Sequence, residues 1–214
     1  MMGLVPMVLT AADLLRLGLT IFLVVLGYAR LANPLRFLLA GRVRQRALDD
    51  EPPPEGPVAE GLETRGFRYL GTRRESLLGL HGRVAAVYAH TDGRVVDLPL
   101  SGRLGGAYAM TWYDQGRCAL TRTGAGRDVI RDRYRSRAIG AGKTLRDLLE
   151  AHAESEASVS LGEKPQVAST LEERLDLGRR WYADHARTEL CLPAVLDGLL
   201  LAAFVTFSVY VWTL

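Results

Sequence analysis

The sequence contains little of what a disulfide-stabilised or nucleic-acid-binding protein needs. Its 214 residues include two cysteines, Cys118 and Cys191. Two cysteines are too few for a disulfide framework, and we expect both to be free thiols. The formal net charge is only +3, because 27 Lys and Arg residues nearly cancel 24 Asp and Glu residues. A nucleic-acid binder usually has a larger and clustered basic excess, so we expect no nucleic acid as a partner.

Complete catalytic and metal-binding motifs are also lacking. Residues 140–144, Gly-Ala-Gly-Lys-Thr, resemble the end of a phosphate-binding P-loop, but the full pattern needs a glycine where Arg137 stands. The sequence has four histidines: His81, His90, His152 and His185. None has metal-ligand spacing with a cysteine or a carboxylate, and no serine lies in a Gly-x-Ser-x-Gly elbow. We therefore predict no catalytic residue, cofactor or metal site, and keep a nucleotide-using enzyme at 140–144 as an alternative.

What the sequence does contain is a long apolar run at its carboxyl end. Residues 193–214 include one charged residue, Asp197. As a helix rising about 1.5 Å per residue, this run would span roughly 30 Å, the thickness of a bilayer's hydrocarbon core. A buried helix of a soluble protein is the alternative, but such helices usually have a polar face. We predict a transmembrane helix over 193–214, with Tyr210 and Trp212 at the membrane interface.

A second apolar run, at residues 7–32, predicts another transmembrane helix. Its uninterrupted apolar core is short enough for a signal peptide. However, no Lys or Arg precedes Asp13, and no small-residue cleavage site follows the run. Asp13 and Arg16 are three residues apart, so we expect them to pair on one helix face.

Basic residues after the first apolar run predict its orientation. Five arginines follow its core: Arg30, Arg36, Arg42, Arg44 and Arg46. Under the positive-inside rule, this end of the helix and the chain between the two helices are cytoplasmic. We predict a two-pass protein of the bacterial inner membrane, with Arg30, Arg36, Arg42 and Arg44 at the membrane interface. Segment 33–46 is interpreted as a basic interfacial segment on anionic headgroups, or as a topology signal alone.

The middle of the chain predicts a small soluble domain. Residues 47–62 are acidic and proline-rich, which is typical of an extended linker. Within 63–168, apolar runs flank Asp92-Gly93 and Gln115-Gly116, and these turn signals predict two hairpins of an antiparallel sheet.

Helical signals follow the hairpins. Thr144 and Asp147 are spaced as a capping box, which predicts the start of the one helix of the domain. Residues 169–192 show helical periodicity and predict an amphipathic helix, with Ser169 as its cap, leading into the second membrane helix.

One basic stretch is the best candidate for recognition. Alternate residues of a strand share a face, so a row of four arginines is predicted at Arg131, Arg133, Arg135 and Arg137. Together with Lys143, this row is a candidate contact for anionic lipid headgroups or an acidic partner. A solvated surface is the alternative interpretation.

The predicted fold class is an α+β membrane protein, in which two terminal transmembrane helices enclose a small antiparallel-sheet-plus-helix soluble domain. In architecture alone, this layout resembles accessory subunits of bacterial membrane complexes. We therefore expect a non-catalytic accessory or scaffold subunit of a larger integral complex, respiratory or photosynthetic, with integral membrane subunits and anionic lipids as partners. A membrane-tethered sensory or ligand- or lipid-binding domain is the alternative.

Overall fold

The fold is α+β, with an eight-stranded mixed sheet and five α-helices in the described part of the chain. A computed structural model describes residues 10–48, 51–77, 83–124, 126 and 128–213. The chain divides into two compact units. The helical unit comprises Met1–Leu38 and Leu190–Leu214, and the sheet unit comprises Leu39–Glu189.

Two helices dominate the helical unit: α1 (Ala11–Leu38) and the last helix of the chain, α5 (Ala186–Thr213). Both are long and apolar enough to cross a membrane, by length and composition. Only 12% and 11% of their most apolar windows are buried, whereas the core helix of a soluble protein would be mostly buried. The predicted starting residues 7–9 and the final residue 214 lie outside the described residues.

The start of α1 uses Asp13 differently from the prediction. The Thr10 backbone N–H donates to Asp13 Oδ2 at 3.0 Å, and the Asp13 backbone N–H donates to Thr10 Oγ1 at 3.2 Å. This reciprocal arrangement is a capping box, which satisfies backbone donors that a helix start leaves free. Thr10 and Asp13 therefore cap the helix together, and Arg16 acts on Asp13 through its charge, without a hydrogen bond.

The boundaries of both apolar helices differ from those predicted. α1 continues past residue 32, through Pro34, to Leu38, and α5 begins before Pro193 and includes it. Proline is tolerated inside apolar helices where neighbouring groups compensate for the lost backbone hydrogen bond. Neither proline ends its helix, so a proline was the wrong boundary signal here.

The sheet unit contains eight strands in the order β1-β2-β3-β4-β5-β6-β8-β7. Their bounds are β1 Val43–Leu48, β2 Arg68–Leu77, β3 Val84–Ala89, β4 Val95–Pro99, β5 Tyr108–Trp112, β6 Cys118–Thr123, β7 Val129–Arg131 and β8 Tyr134–Ile139. Both predicted hairpins are confirmed, because β3 pairs antiparallel with β4 and β5 with β6.

The sheet is mixed, so the prediction of a purely antiparallel sheet is wrong in one place. β8 pairs with β6 in parallel, from Cys118↔Tyr134 to Thr123↔Ile139. After β6 the chain first forms β7 at the sheet edge and then turns back into β8, which occupies the place between β6 and β7. Inserting β8 in this way makes it run in the same direction as β6.

The predicted interfacial segment and linker also contain regular structure. Residues Val43–Leu48 form edge strand β1, paired antiparallel with β2, and Pro57–Glu63 form helix α2. Uncharged Val43 and Gln45 alternate with Arg44 and Arg46, which is the period-two signal of a half-buried strand. Proline at the first helical position suits the start of α2, since its missing N–H is not needed there.

Helices cover both faces of the sheet. α2 and α3 (Leu145–Ala157) pack on one face, around Tyr88, Leu98 and Leu148. α4 (Leu171–Asp184) packs on the other, where Leu177 joins an apolar cluster with Val87 and Trp112. The Thr144–Asp147 capping box of α3 is confirmed.

The helix expected over 169–192 is two helices. α4 is capped by Thr170 with Glu173, one residue later than predicted, and it ends at Asp184. His185 then separates α4 from α5. His185 Nε2 lies 3.1 Å from the Gly116 carbonyl oxygen, and this contact holds the chain at the break.

Candidate functional site

The most highly charged buried site lies between the sheet and α4. Arg73 on β2, Asp97 on β4 and Arg174 on α4 are each 0% exposed. Arg73 Nε donates to Asp97 Oδ2 at 2.5 Å. From the opposite side, Arg174 Nε and Nη2 donate to Asp97 Oδ1 and Oδ2 at 3.2 and 2.9 Å. One carboxylate is therefore bound by two arginines from two layers of the fold.

Strand register explains how Arg73 reaches Asp97 across β3. Arg73 lies opposite Ala85 of β3, and Asp97 lies opposite Val87 of the same strand. Neighbouring strands are about 4.8 Å apart, so β2 and β4 are separated by roughly 10 Å. Because Ala85 is small, the long arginine side chain can extend over it to the carboxylate.

A second carboxylate balances the charge of the site. Arg73 Nη1 donates to Glu75 Oε2 at 3.3 Å, and the Tyr182 hydroxyl of α4 donates to Glu75 Oε1 at 2.5 Å. Arg73 and Arg174 also donate to the Tyr108 hydroxyl oxygen. We call Arg73, Glu75, Asp97 and Arg174 the buried ionic cluster. Its two positive and two negative charges cancel.

Burial and charge act in opposite directions on Asp97. Burial alone would raise the pKa of its carboxyl group, but Arg174 and Arg73 outweigh burial and lower this pKa to about 2. Burial raises the pKa of the Tyr108 and Tyr182 hydroxyl groups. At neutral pH, Asp97 is thus ionised and saturated with donors. The cluster fixes α4 to the sheet, and its chemistry is that of a structural ion pair.

A second polar network joins α3 to the sheet through His152. The Thr111 hydroxyl donates to Glu156 Oε1 at 2.6 Å, so it accepts from His152 Nε2 at 2.9 Å. His152 Nδ1 in turn accepts from the Thr121 hydroxyl at 3.2 Å. These bonds require the neutral Nε2–H tautomer. Burial lowers the pKa of His152 to about 4, which keeps the ring neutral at physiological pH.

A third network surrounds Tyr134 near the end of the sheet unit. The Tyr134 hydroxyl donates to Glu189 Oε2 at 3.0 Å, and Arg122 pairs with the other oxygen of this carboxylate. Trp181 Nε1 donates to the Tyr134 hydroxyl at 3.3 Å. The His185 ring stacks on Tyr134 with centroids 4.8 Å apart. Burial lowers the pKa of His185, so it too is a neutral structural residue.

The helical unit has its own polar site around Asp197. Arg30 Nη1 donates to Asp197 Oδ1 at 3.1 Å, and Asn33 Nδ2 donates to Asp197 Oδ2 at 2.7 Å. Farther along, Trp212 Nε1 donates to Thr20 Oγ1 at 2.7 Å. α1 and α5 therefore pack as an antiparallel helix pair. The one acidic side chain of the predicted span 193–214 is paired within it.

The predicted arginine row is divided by a turn. Arg131 ends β7, and Arg133 lies in the turn before β8, both exposed. Arg135 and Arg137 share one face of β8, and Arg137 pairs with Glu154 of α3. The four arginines therefore do not form one continuous row along a strand.

The remaining predicted contact residues are dispersed in the fold. Lys143 is exposed just before α3. Arg36 lies in the last turn of α1, Arg42 in the short 3-10 turn Ala40–Arg42, and Arg44 in β1. Tyr210 and Trp212 are exposed in the last turns of α5.

The buried ionic cluster was not predicted from the sequence. Asp97 follows Val95 and Val96 in a clear strand pattern, and its alternation with Val95 places it on an inward face. Arg174 stands next to Leu175 on the inward side of α4. The sequence therefore showed a charge at a core position in each place, but the partners of Asp97 are distant in sequence: Arg73 lies 24 residues away and Arg174 lies 77 residues away.

In the loop at 140–144, the polar groups of Thr144 are bonded within the cap of helix α3. Asp147 Oδ2 accepts from both the backbone N–H and the hydroxyl group of Thr144, at 2.8 and 2.9 Å. Across the described ranges, no three His, Cys, Asp or Glu side chains are grouped as a metal site would need. No protein-family model, curated protein or solved structure matches this chain significantly.

Proposed function

We propose that this chain is a two-pass membrane protein that serves as a non-catalytic accessory subunit of a larger integral membrane complex. In this proposal, the antiparallel pair of α1 and α5 spans the bacterial inner membrane, and the sheet unit lies in the cytoplasm. The two candidate spans support the membrane location, and the five arginines after the first apolar core support the orientation.

The main support for the subunit role is the environment of the Arg30 side chain. Its Nη1 reaches Asp197, but its side chain remains 54% exposed. Among the described residues, its guanidinium group has no other hydrogen-bond partner outside α1 than this carboxylate. Arg30 is predicted at the membrane interface, where the free donors of a guanidinium group need acceptors from headgroups, water or protein. A neighbouring subunit that accepts from Arg30 would meet this requirement.

Apolar side chains on both helices are consistent with such a neighbour. Leu15, Val24 and Val25 of α1 and Leu199 and Val205 of α5 are exposed. These side chains face either lipid or a partner helix, and loss of a co-purifying partner from an Arg30 variant would distinguish the two environments.

Purification from the native host in mild detergent, through a carboxyl-terminal tag, tests the proposal. We expect an integral membrane protein to co-purify in stoichiometric amount. Arg30→Gln should lose this partner, because glutamine can still donate to Asp197 but has no charge for a second contact. Arg16→Gln removes one charge from the same helix and serves as the matched control. A wild-type chain that purifies alone would contradict the proposal.

A further inference from the structure

Three arginines share one face at the β1 edge of the sheet. Arg44 and Arg46 are exposed alternate residues of β1, and Arg46 lies directly opposite Arg74 of β2. Side chains directly opposite each other in an antiparallel pair point to the same face, with Cβ atoms about 5 Å apart, and diagonal neighbours are about 7 Å apart. Arg44, Arg46 and Arg74, which we call the arginine face, can therefore contact a single anion together.

No acidic side chain balances the arginine face in the part of the chain that the structure describes. Its three side chains have neither an ion pair nor a hydrogen bond there, and the nearest acid of the same strands, Glu75, belongs to the buried ionic cluster on the opposite face. Like charges directly opposite each other in a sheet are destabilising. The Arg46–Arg74 pair therefore favours binding of an anion between its guanidinium groups.

On the arginine face, Arg44 and Arg46 remain exposed and Arg74 is half-buried. α3 packs over β5, β6 and β8, α2 contacts β2, and α4 covers the other side of β1 and β2. Arg44 follows the end of α1 at Leu38 by six residues. At no more than about 3.5 Å per residue, six residues of chain reach at most roughly 21 Å. The site is thus close, along the chain, to where headgroups would begin.

We propose that the arginine face binds the phosphate group of an anionic phospholipid. Guanidinium groups suit this ligand because their paired N–H donors match phosphate oxygens bidentately. The inference rests on the proposed membrane location, but it does not depend on a partner subunit. If the lipid experiment fails while a partner co-purifies, only the lipid site is wrong.

The test measures the melting temperature of the purified full chain in neutral detergent by tryptophan fluorescence. The probes are dioctanoyl-phosphatidylglycerol, dioctanoyl-phosphatidylcholine and inorganic phosphate at equal concentration. We expect phosphatidylglycerol to raise the melting temperature of the wild type and of the control R131Q/R133Q, but not that of R46Q/R74Q. Without lipid, R46Q/R74Q should melt about 1–3 °C above the wild type, because the opposed charges are gone.

Three results would overturn the proposal. One is an equal rise for R46Q/R74Q and the wild type with phosphatidylglycerol. Another is an equal rise with phosphatidylcholine, which would show that anionic charge is not recognised. The third is an equal rise with inorganic phosphate, which would assign the arginine face to a free phosphate instead of a lipid.

Discussion

The sheet unit and the antiparallel pair of α1 and α5 each hold a carboxylate away from water, but they neutralise it differently. Asp97 is bound by Arg73 and Arg174, and all three residues are 0% exposed. Asp197 is bound by Asn33 and by Arg30, whose side chain is half exposed. In the sheet unit, removal of one member leaves charges that cannot reach water. In the pair of α1 and α5, the half-exposed Arg30 side chain can turn outward if its partner is lost. The same pairing should therefore be far more costly to break in the sheet unit.

Asp97→Asn should have the largest effect. The substitution leaves Arg73 and Arg174 buried without their main counter-charge, which costs on the order of 3–5 kcal/mol of unfolding free energy. Thermal or denaturant unfolding of the detergent-solubilised full chain, followed by tryptophan fluorescence, would measure it. Asp132→Asn, at an exposed turn position, is the control and should change little.

A variant that replaces the whole buried ionic cluster sharpens this prediction. R73M/E75Q/D97L/R174M removes all four charges together, and well-packed neutral replacements of buried ion pairs are often neutral or stabilising in effect. This quadruple variant should recover most of the stability that Asp97→Asn loses. If it is as unstable as Asp97→Asn, the loss came from packing and not from unpaired charge.

His152 should make stability fall with acidification. Burial keeps the ring neutral in the folded chain down to about pH 4, whereas the unfolded chain takes up a proton near its ordinary pKa of 6.5. Stability is therefore complete above pH 6.5 and decreases as the pH falls to about 4, by roughly 3 kcal/mol in total. Unfolding measured across this range should show the slope. His152→Gln should flatten the slope, and an unchanged slope in that variant would assign the titration to another group.

Gly178→Ala should destabilise the contact between α4 and β1. A Cβ at this position would overlap Gln45 Oε1 and lie 3.0 Å from Arg174 Nη1. Alanine normally stabilises a helix relative to glycine by up to about 1 kcal/mol, so a loss of about 1–3 kcal/mol would reverse the usual sign. Gly140→Ala, where a Cβ has nothing within 4 Å, is the control. Equal melting temperatures for the two variants would contradict this packing.

Asp197→Asn should have the smallest effect. Arg30 keeps access to its surroundings, and asparagine retains one acceptor for Asn33, so we expect a loss of about 1 kcal/mol or less. Equal losses for Asp197→Asn and Asp97→Asn would contradict the difference expected between the two units. Thermal unfolding of the detergent-solubilised chain, followed by circular dichroism, would measure it, because α1 and α5 contribute most of the helical signal.

Local signals in the sequence predicted much of the fold. Asp92-Gly93 and Gln115-Gly116 each supply a glycine with positive φ, at 92° and 74°, and each turn joins the expected strands. The Thr144–Asp147 box predicted the start of α3 for the same reason, because its partners are three residues apart. Apolar length predicted both long terminal helices.

Non-local pairing limited the rest. The parallel pairing of β6 with β8 depends on where β7 lies, which no short pattern encodes. β1 becomes a strand by pairing with β2, about 30 residues later along the chain. Likewise, nothing near Asp97 in sequence indicates Arg73 or Arg174. The candidate recognition residues on β7 and β8 were divided by a turn at Asp132, which the arginine spacing alone did not reveal.

Cysteine labelling tests most directly whether the sheet unit lies on the arginine-rich side of a membrane. Cys191 is exposed and is replaced by serine, Cys118 is buried, and Asp132→Cys adds one exposed thiol at the β7–β8 turn. We expect a membrane-impermeant maleimide to label this thiol only after the cells are permeabilised. Labelling of intact cells, or recovery of the chain in the soluble fraction, would contradict it.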